Sequence, residues 1–127
     1  MINGLGTSQF HGTEGSGFTG SIGITFVGGV PHYRLRMMDA GDPDPRPFGI
    51  LRPSTFQRIG MHVRWSKGSD GFARCYLDGV LGTEFRGVTA HENAERQMFR
   101  IGWYTPEVGP YGLDLRARKI RVYGRAS

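Results

Sequence analysis

Cysteine is nearly absent from this chain of 127 residues. Cys75 is the single one, which excludes an intrachain disulfide and the small disulfide-stapled scaffold. Lysine is almost missing too, at Lys67 and Lys119. Alanine, leucine and glutamate are scarce, and with lysine these are the residues that build helices. Composition therefore excludes a long helical bundle. No run approaches the ~20 apolar residues of a membrane-crossing helix. Met1 to Ser8 lacks the basic start and apolar stretch of a signal peptide. Neither glycine-rich phosphate loop occurs, so nucleotide binding has no support.

What is abundant is glycine and arginine. Glycine supplies 21 residues, about twice its usual share and without the period of three that collagen needs. Of the 16 basic residues, 14 are arginine, and the formal net charge is +5. Arginine is the planar, forked donor that suits carboxylate, sulfate and phosphate. The charge favours an anionic partner: nucleic acid, an acidic polysaccharide or an acidic protein surface. The length suits one domain, residues 1–127, with one real core.

Period-two alternation dominates the apolar pattern. In Ser21–Val27, Ile22, Ile24 and Phe26 alternate with Ser21, Gly23 and Thr25. His32–Met38 follows Gly28-Gly29-Val30-Pro31, a hairpin signal. In Ile59–Ser66, Ile59, Met61, Val63 and Trp65 share one face, while Gly60, His62, Arg64 and Ser66 share the other. Phe72–Asp78 returns after turn residues, and Asp78-Gly79 marks a tight turn into Val80–Phe85. Gln97–Tyr104 and Leu113–Tyr123 read as closing strands. Asp39–Gly49 reads as a long loop, since its prolines and acids oppose both helix and ladder. Gly87–Arg96 has room for one helical turn, and Thr105–Gly112 reads as irregular. The expected fold is an all-β antiparallel sandwich of jelly-roll type, with about eight strands and turns at sandwich spacing. Met61, Val63, Trp65, Ala73, Cys75 and Leu77 are its expected core, with Trp103 behind the last paired strand.

Three segments, in order, resemble the alginate lyases and related polysaccharide lyases with a concanavalin-like jelly roll. Gln9-Phe-His11-Gly-Thr13 is similar to their Gln-X-His strand. His62-Val-Arg-Trp-Ser66 followed by Gly71-Phe-Ala-Arg-Cys-Tyr-Leu-Asp-Gly79 resembles their Trp-Ser end, turn and Leu-Asp-Gly strand. Met98-Phe-Arg-Ile-Gly-Trp-Tyr104 resembles their Tyr-Phe-Lys-Ala-Gly-Val-Tyr strand. The resemblance spans about residues 8 to 124 but matches only the later part of the family pattern. Met1 lies eight residues before Gln9, so the earlier Arg-bearing motif has no counterpart. Arg118-Lys119 stands where the family writes Asp-Asn, and Thr105-Pro106 where alginate lyases favour Asn-Gln.

Such lyases cleave uronic-acid chains by β-elimination, with a base taking the proton beside a neutralised carboxylate and an acid protonating the leaving oxygen. The resemblance implies that Gln9 bonds the carboxylate, that His11 acts as base or stabiliser, and that Tyr104 acts as acid or base. Strand parity puts Gln9 with His11, and Arg100 and Gly102 with Tyr104. Arg100 would then contact an anionic sugar, and Gly102 would leave it room. The set is incomplete, so weak or no catalysis is expected, with function through binding or assembly. The expected partner is an acidic polysaccharide or an acidic protein surface rather than nucleic acid or membrane, within a homo-oligomer or larger assembly. An extracellular or virion setting goes with this. Two other readings stand beside it: a bacteriophage decoration, tail or attachment component that reuses the fold, and an active polysaccharide lyase. No cofactor or metal is expected. His91 with Glu92 and Glu95 fits no zinc spacing, Asp39, Asp42 and Asp44 lack the EF-hand pattern, and His32 and His62 read as structural.

Overall fold

The computed structural model describes residues 5–12, 18–37, 46–91, 97–104 and 116–124, of which 5–12, 18–19 and 97–104 are described by backbone course and pairing. These residues are all-β and antiparallel, with no helix among them. Strands are numbered in chain order. One sheet holds β4 (Arg46–Ile50), β3 (Val30–Met37), β2 (Phe18–Val27), β1 (Leu5–Gly12) and β8 (Gln97–Tyr104), side by side in that order. The other holds β5 (Ile59–Arg64), β6 (Gly71–Leu77) and β7 (Val80–Gly87), also in that order.

Two glycine-bearing turns set the registers. Gly28 and Gly29 have φ of 57° and 79°, the paired positive values of a two-residue hairpin turn. β2 and β3 then pair without a slip from Val27↔Val30 to Gly20↔Met37. Asp78 and Gly79, at φ 49° and 85°, make the same kind of turn between β6 and β7. Asp78 also ties this turn to the start of β5. Its Oδ1 accepts from the Arg58 amide at 2.8 Å, and its own amide donates to the Arg58 carbonyl at 2.8 Å.

The core forms between the two sheets. Ile22, Leu35, Met37 and Phe48 come from the larger sheet, and Ala73 and Cys75 from the smaller. Tyr33, Met61, Val63, Leu77 and Phe85 pack against them, partly buried. Tyr33 and Phe48 stack at 5.9 Å.

Both sheets carry a bulge where they come closest. Tyr33 pairs Gly49 and Arg34 pairs Pro47, so Phe48 is the extra residue of β4. Cys75 pairs Thr83 and Tyr76 pairs Leu81, so Gly82 is the extra residue of β7. The two extra residues touch: a Cβ on Gly82 would run into the carbonyl and side chain of Phe48.

Three expectations are corrected. Arg46–Gly49, read as loop, lies within β4. Pro47 is tolerated there because β4 is an edge strand, where a missing N–H need not break a ladder. Trp65 is not core: it is 36% exposed. β5 stops at Arg64 because Thr89 diverts the chain. The buried Thr89 hydroxyl donates to the Arg64 carbonyl (2.6 Å) and accepts from the Ser66 amide (2.8 Å), while the Thr89 and Ala90 amides both donate to the Ser66 carbonyl. The closing strand read over Leu113–Tyr123 is absent from its described part. Residues 116–124 form no strand and are exposed, and Lys119 has φ 55°, which breaks an extended run. Residues 39–45, 92–96 and 105–115 lie outside the described residues. With them lie the acidic loop, the candidate helical turn past His91, the Thr105–Gly112 stretch and the start of the closing strand. The side chain of Trp103 lies outside them as well.

Two stability predictions follow from these contacts. Gly82→Ala should lose ~2 kcal/mol or more, as overpacking against fixed backbone does, whereas Gly60→Ala, whose Cβ would meet Tyr76 at an ordinary 3.5 Å, should be near neutral. Urea denaturation of both variants checks this, and equal losses would refute the bulge contact. Thr89→Val should lose ~2–4 kcal/mol by stranding a donor and an acceptor, and Thr89→Ser should recover more than half of it.

Candidate functional site

The candidate residues come from β1 and β8, which are neighbours. β1 lies between β2 and β8, so each β1 position faces two partners. Gln9 pairs with Arg100 on one side and Ser21 on the other, and Ser21 pairs with Arg36. Arg100, Gln9, Ser21 and Arg36 therefore make one continuous row across four strands. His11 pairs with Met98 and Phe18. Tyr104 pairs with Gly6, beyond a register irregularity between Gly6 and Ser8, and Gly102 falls inside that irregularity. The backbone thus brings Gln9 and Arg100 together, with His11 two residues along, and carries Tyr104 past the irregularity into the neighbouring row, which runs through Gly6 and Gly23 to Arg34.

The next row holds residues that sequence reasoning left out. Gly23 pairs with Arg34. Ser21, Gly23 and Thr25 on β2 and His32, Arg34 and Arg36 on β3 occupy the face opposite Ile22, Leu35 and Met37, because neighbours along a strand alternate. That face would ordinarily be solvated. Yet Ser21, Thr25 and Arg34 are buried, Arg34 to 3% exposure. The Arg34 Nη1 donates to Ser21 Oγ at 3.3 Å, and its Nε has no acceptor. Burial lowers the Arg34 pKa to about 10, and the neighbouring Arg36 charge acts in the same direction. The group is still a cation at neutral pH. A signal for these residues was present in the sequence: the Gly-Gly turn sets β3 against β2, which puts Arg34 and Arg36 across from Gly23 and Ser21.

Charge is distributed unevenly between the sheets. Among the described residues the carboxylates are Asp70, Asp78 and Glu84, all on or beside the smaller sheet. Each is engaged. Asp70 takes a short hydrogen bond from Ser66 and pairs with Arg64 at 2.8 Å, and these two hold its carboxyl below the usual range. Glu84 is clasped by Arg74 and Arg86, which lower its pKa in the same way. Asp78 accepts from the Arg58 amide. No described carboxylate is left to offset Arg34.

Other candidate groups have structural places. The His32 Nδ1 donates to the Val30 carbonyl at 2.9 Å beside its turn. His62 meets Phe72 edge-on at 5.0 Å. Among the described residues no cluster of His, Cys, Asp or Glu has metal-binding geometry, and the loop carrying Asp39, Asp42 and Asp44 lies outside them. Cys75 is fully buried, and desolvation pushes its thiol up to about 12. A thiol so far above its ordinary value stays protonated and is no nucleophile at neutral pH.

A thiol reagent should therefore leave the native protein unmodified at pH 8 and label one thiol after denaturation. Rapid labelling of the native protein would show that Cys75 is reachable. Set against known proteins, the chain matches no family model, no curated protein and no solved structure.

Proposed function

We propose that this chain is a lyase-like module that binds acidic polysaccharide on the outer face of its five-stranded sheet, with weak or no catalysis. The observation that carries this reading is the row Arg100–Gln9–Ser21–Arg36, flanked by Arg34, on the sheet that holds none of the described carboxylates. A polymer of regularly spaced anions suits such a row. Strands repeat every ~4.8 Å across a sheet, so Arg100 and Arg36, three strands apart in the row, meet separate sugars of one chain rather than a single charge. The resemblance to jelly-roll polysaccharide lyases supports the same face, since Gln9 lies in the row and His11 beside it. In this proposal the two sheets form a jelly-roll sandwich of the concanavalin type.

Weak catalysis is the expectation because Tyr104 is separated from the Gln9 row by the register irregularity, whereas elimination needs acid, base and carboxylate donors held together. One misplaced electrostatic donor can lower a rate by ~10²–10³.

The alternative, an assembly component such as a virion protein, has an observation of its own. Ile120, Val122 and Tyr123 stand exposed on the segment 116–124, which forms no strand, as do Val80 and Leu81 at the start of β7. Exposed apolar groups such as these are what a neighbouring subunit would cover. A homo-oligomer is part of both readings.

Binding of polyuronate to the immobilised protein should weaken ~10-fold or more in Arg36→Ala and in Arg100→Ala, the scale of one lost charge-assisted hydrogen bond. It should also weaken steeply with added salt. Tyr104→Phe should leave binding unchanged, with no ultraviolet-absorbing unsaturated product from either protein. Salt-independent binding, or none, would overturn the polysaccharide reading. Sustained product formation lost in Tyr104→Phe would replace it with the enzyme.

A further inference from the structure

We infer that Arg34 is the base of a buried oxyanion site on the outer face of the five-stranded sheet, bounded on one side by Ser21, with the Nε–H of the guanidinium as the donor left without an acceptor. The ligand's identity, an acidic sugar, rests on the polysaccharide reading above, whereas the site itself rests on Arg34 alone.

Burying a guanidinium is costly unless its charge is matched and its donors are satisfied. Among the described residues Arg34 finds no opposite charge, and its donors are only partly satisfied. Its residue is 3% exposed, Nη1 has one neutral and rather long partner in Ser21 Oγ at 3.3 Å, and Nε, sealed from water, has none. Its nearest charged neighbour along β3 is Arg36, of the same sign. Other described arginines do better: Arg64 pairs with Asp70, Arg74 and Arg86 share Glu84, and Arg118 lies over the Phe56 ring at 3.9 Å. Among the described arginines Arg34 is the most deeply buried, and its described partner is a neutral hydroxyl.

The orientation specifies the missing partner. With Nη1 committed to Ser21, the remaining edge is the side-on one, where Nε–H and an Nη2–H run parallel. Two oxygens of one anion fit that edge in bidentate fashion. A uronate carboxylate and a sulfate ester both present such a pair, while a hydroxyl or an amide presents one acceptor and no charge. Gly23, opposite Arg34, has no side chain to compete for the lane across β2. Arg36, two residues along the same strand face, is exposed to solvent. Once seated, the anion shares the low-dielectric setting of the guanidinium, where a matched pair is worth most.

The test observes Arg34 directly. In ¹⁵N-labelled protein the Arg34 Nε–H resonance is assigned by its loss in Arg34→Lys, then followed during titration with sodium acetate, sodium sulfate, an oligouronate and a sulfated neutral oligosaccharide. The expected result is a saturable shift of that resonance with at least one anion. Movement with the oligouronate alone assigns a carboxylate, and movement with both sugars assigns oxyanions in general. A resonance that stays put with all four overturns the site. Arg34→Lys, which keeps the charge and loses the fork, should bind the moving anion ~10-fold or more weakly, and unchanged affinity overturns the site even if polymer binding persists. If wild type binds no polymer but inorganic sulfate moves the Arg34 resonance, the site stands and the polysaccharide reading falls. Thermal melting separates this role from a structural one. Without added anion, Arg34→Met should melt at or above the wild-type temperature, and anion should raise the melting temperature of wild type alone. A marked loss of stability in anion-free Arg34→Met would make the arginine structural and overturn the inference.

Discussion

The contact between two bulges, Phe48 on β4 and Gly82 on β7, sets the distance between the sheets, and much of the structure follows from that distance. Phe48 is the added residue that lets an edge strand place an aromatic ring in the core, where it stacks on Tyr33. Gly82 is the added residue that lets β7 approach the Phe48 backbone. With the sheets this close, small side chains suffice at the centre of β6. Ala73 and Cys75 are both fully buried there, opposite Leu35 and Met37. The apolar layer is therefore thin and closely packed, as expected where interiors reach crystal-like density. Ile22 of β2 and Leu35 and Met37 of β3 are spent on that layer. The other face of these strands is left to serine, threonine, histidine and arginine, and the candidate site lies on it.

Much of the fold was legible in the chain. The alternation of Ile22, Ile24 and Phe26, and of Ala73, Cys75 and Leu77, identified strands and faces. The two tight turns, Gly28-Gly29 and Asp78-Gly79, identified which strands are neighbours. Three features were not legible, each for a physical reason. Strand β4 hides behind Pro47 because local propensity cannot tell that the strand lies at an edge. Trp65 continues the period of Ile59, Met61 and Val63, but its place is decided by Thr89, 24 residues later and silent in any local window. The segment past Arg116 has strand-like alternation, yet no ladder takes it up among the described residues.

The candidate site was legible in outline. Motif and parity single out Gln9, His11 and Arg100, and the backbone pairing makes Gln9 and Arg100 direct partners. Arg34 is not legible in the same way, because an arginine in an alternating strand reads as a solvated one. Nothing in the local sequence announces that its guanidinium is covered. The irregularity that sets Tyr104 apart was equally hidden, since a bulge depends on the match between two strands far apart in the chain.

That separation has a consequence for the order in which the molecule assembles. β2–β3 and β6–β7 are hairpins closed by two-residue turns, so little chain entropy stands in the way of forming them. The pairing of Gln9 with Arg100 joins residues 91 positions apart, among the longest closures in the ladder. Shorter pieces of the chain contain every local element of the fold and still lack the row. Its presence is thus a property of the finished topology, and a ligand that needs the whole row recognises only chains whose folding has closed the sheet from end to end.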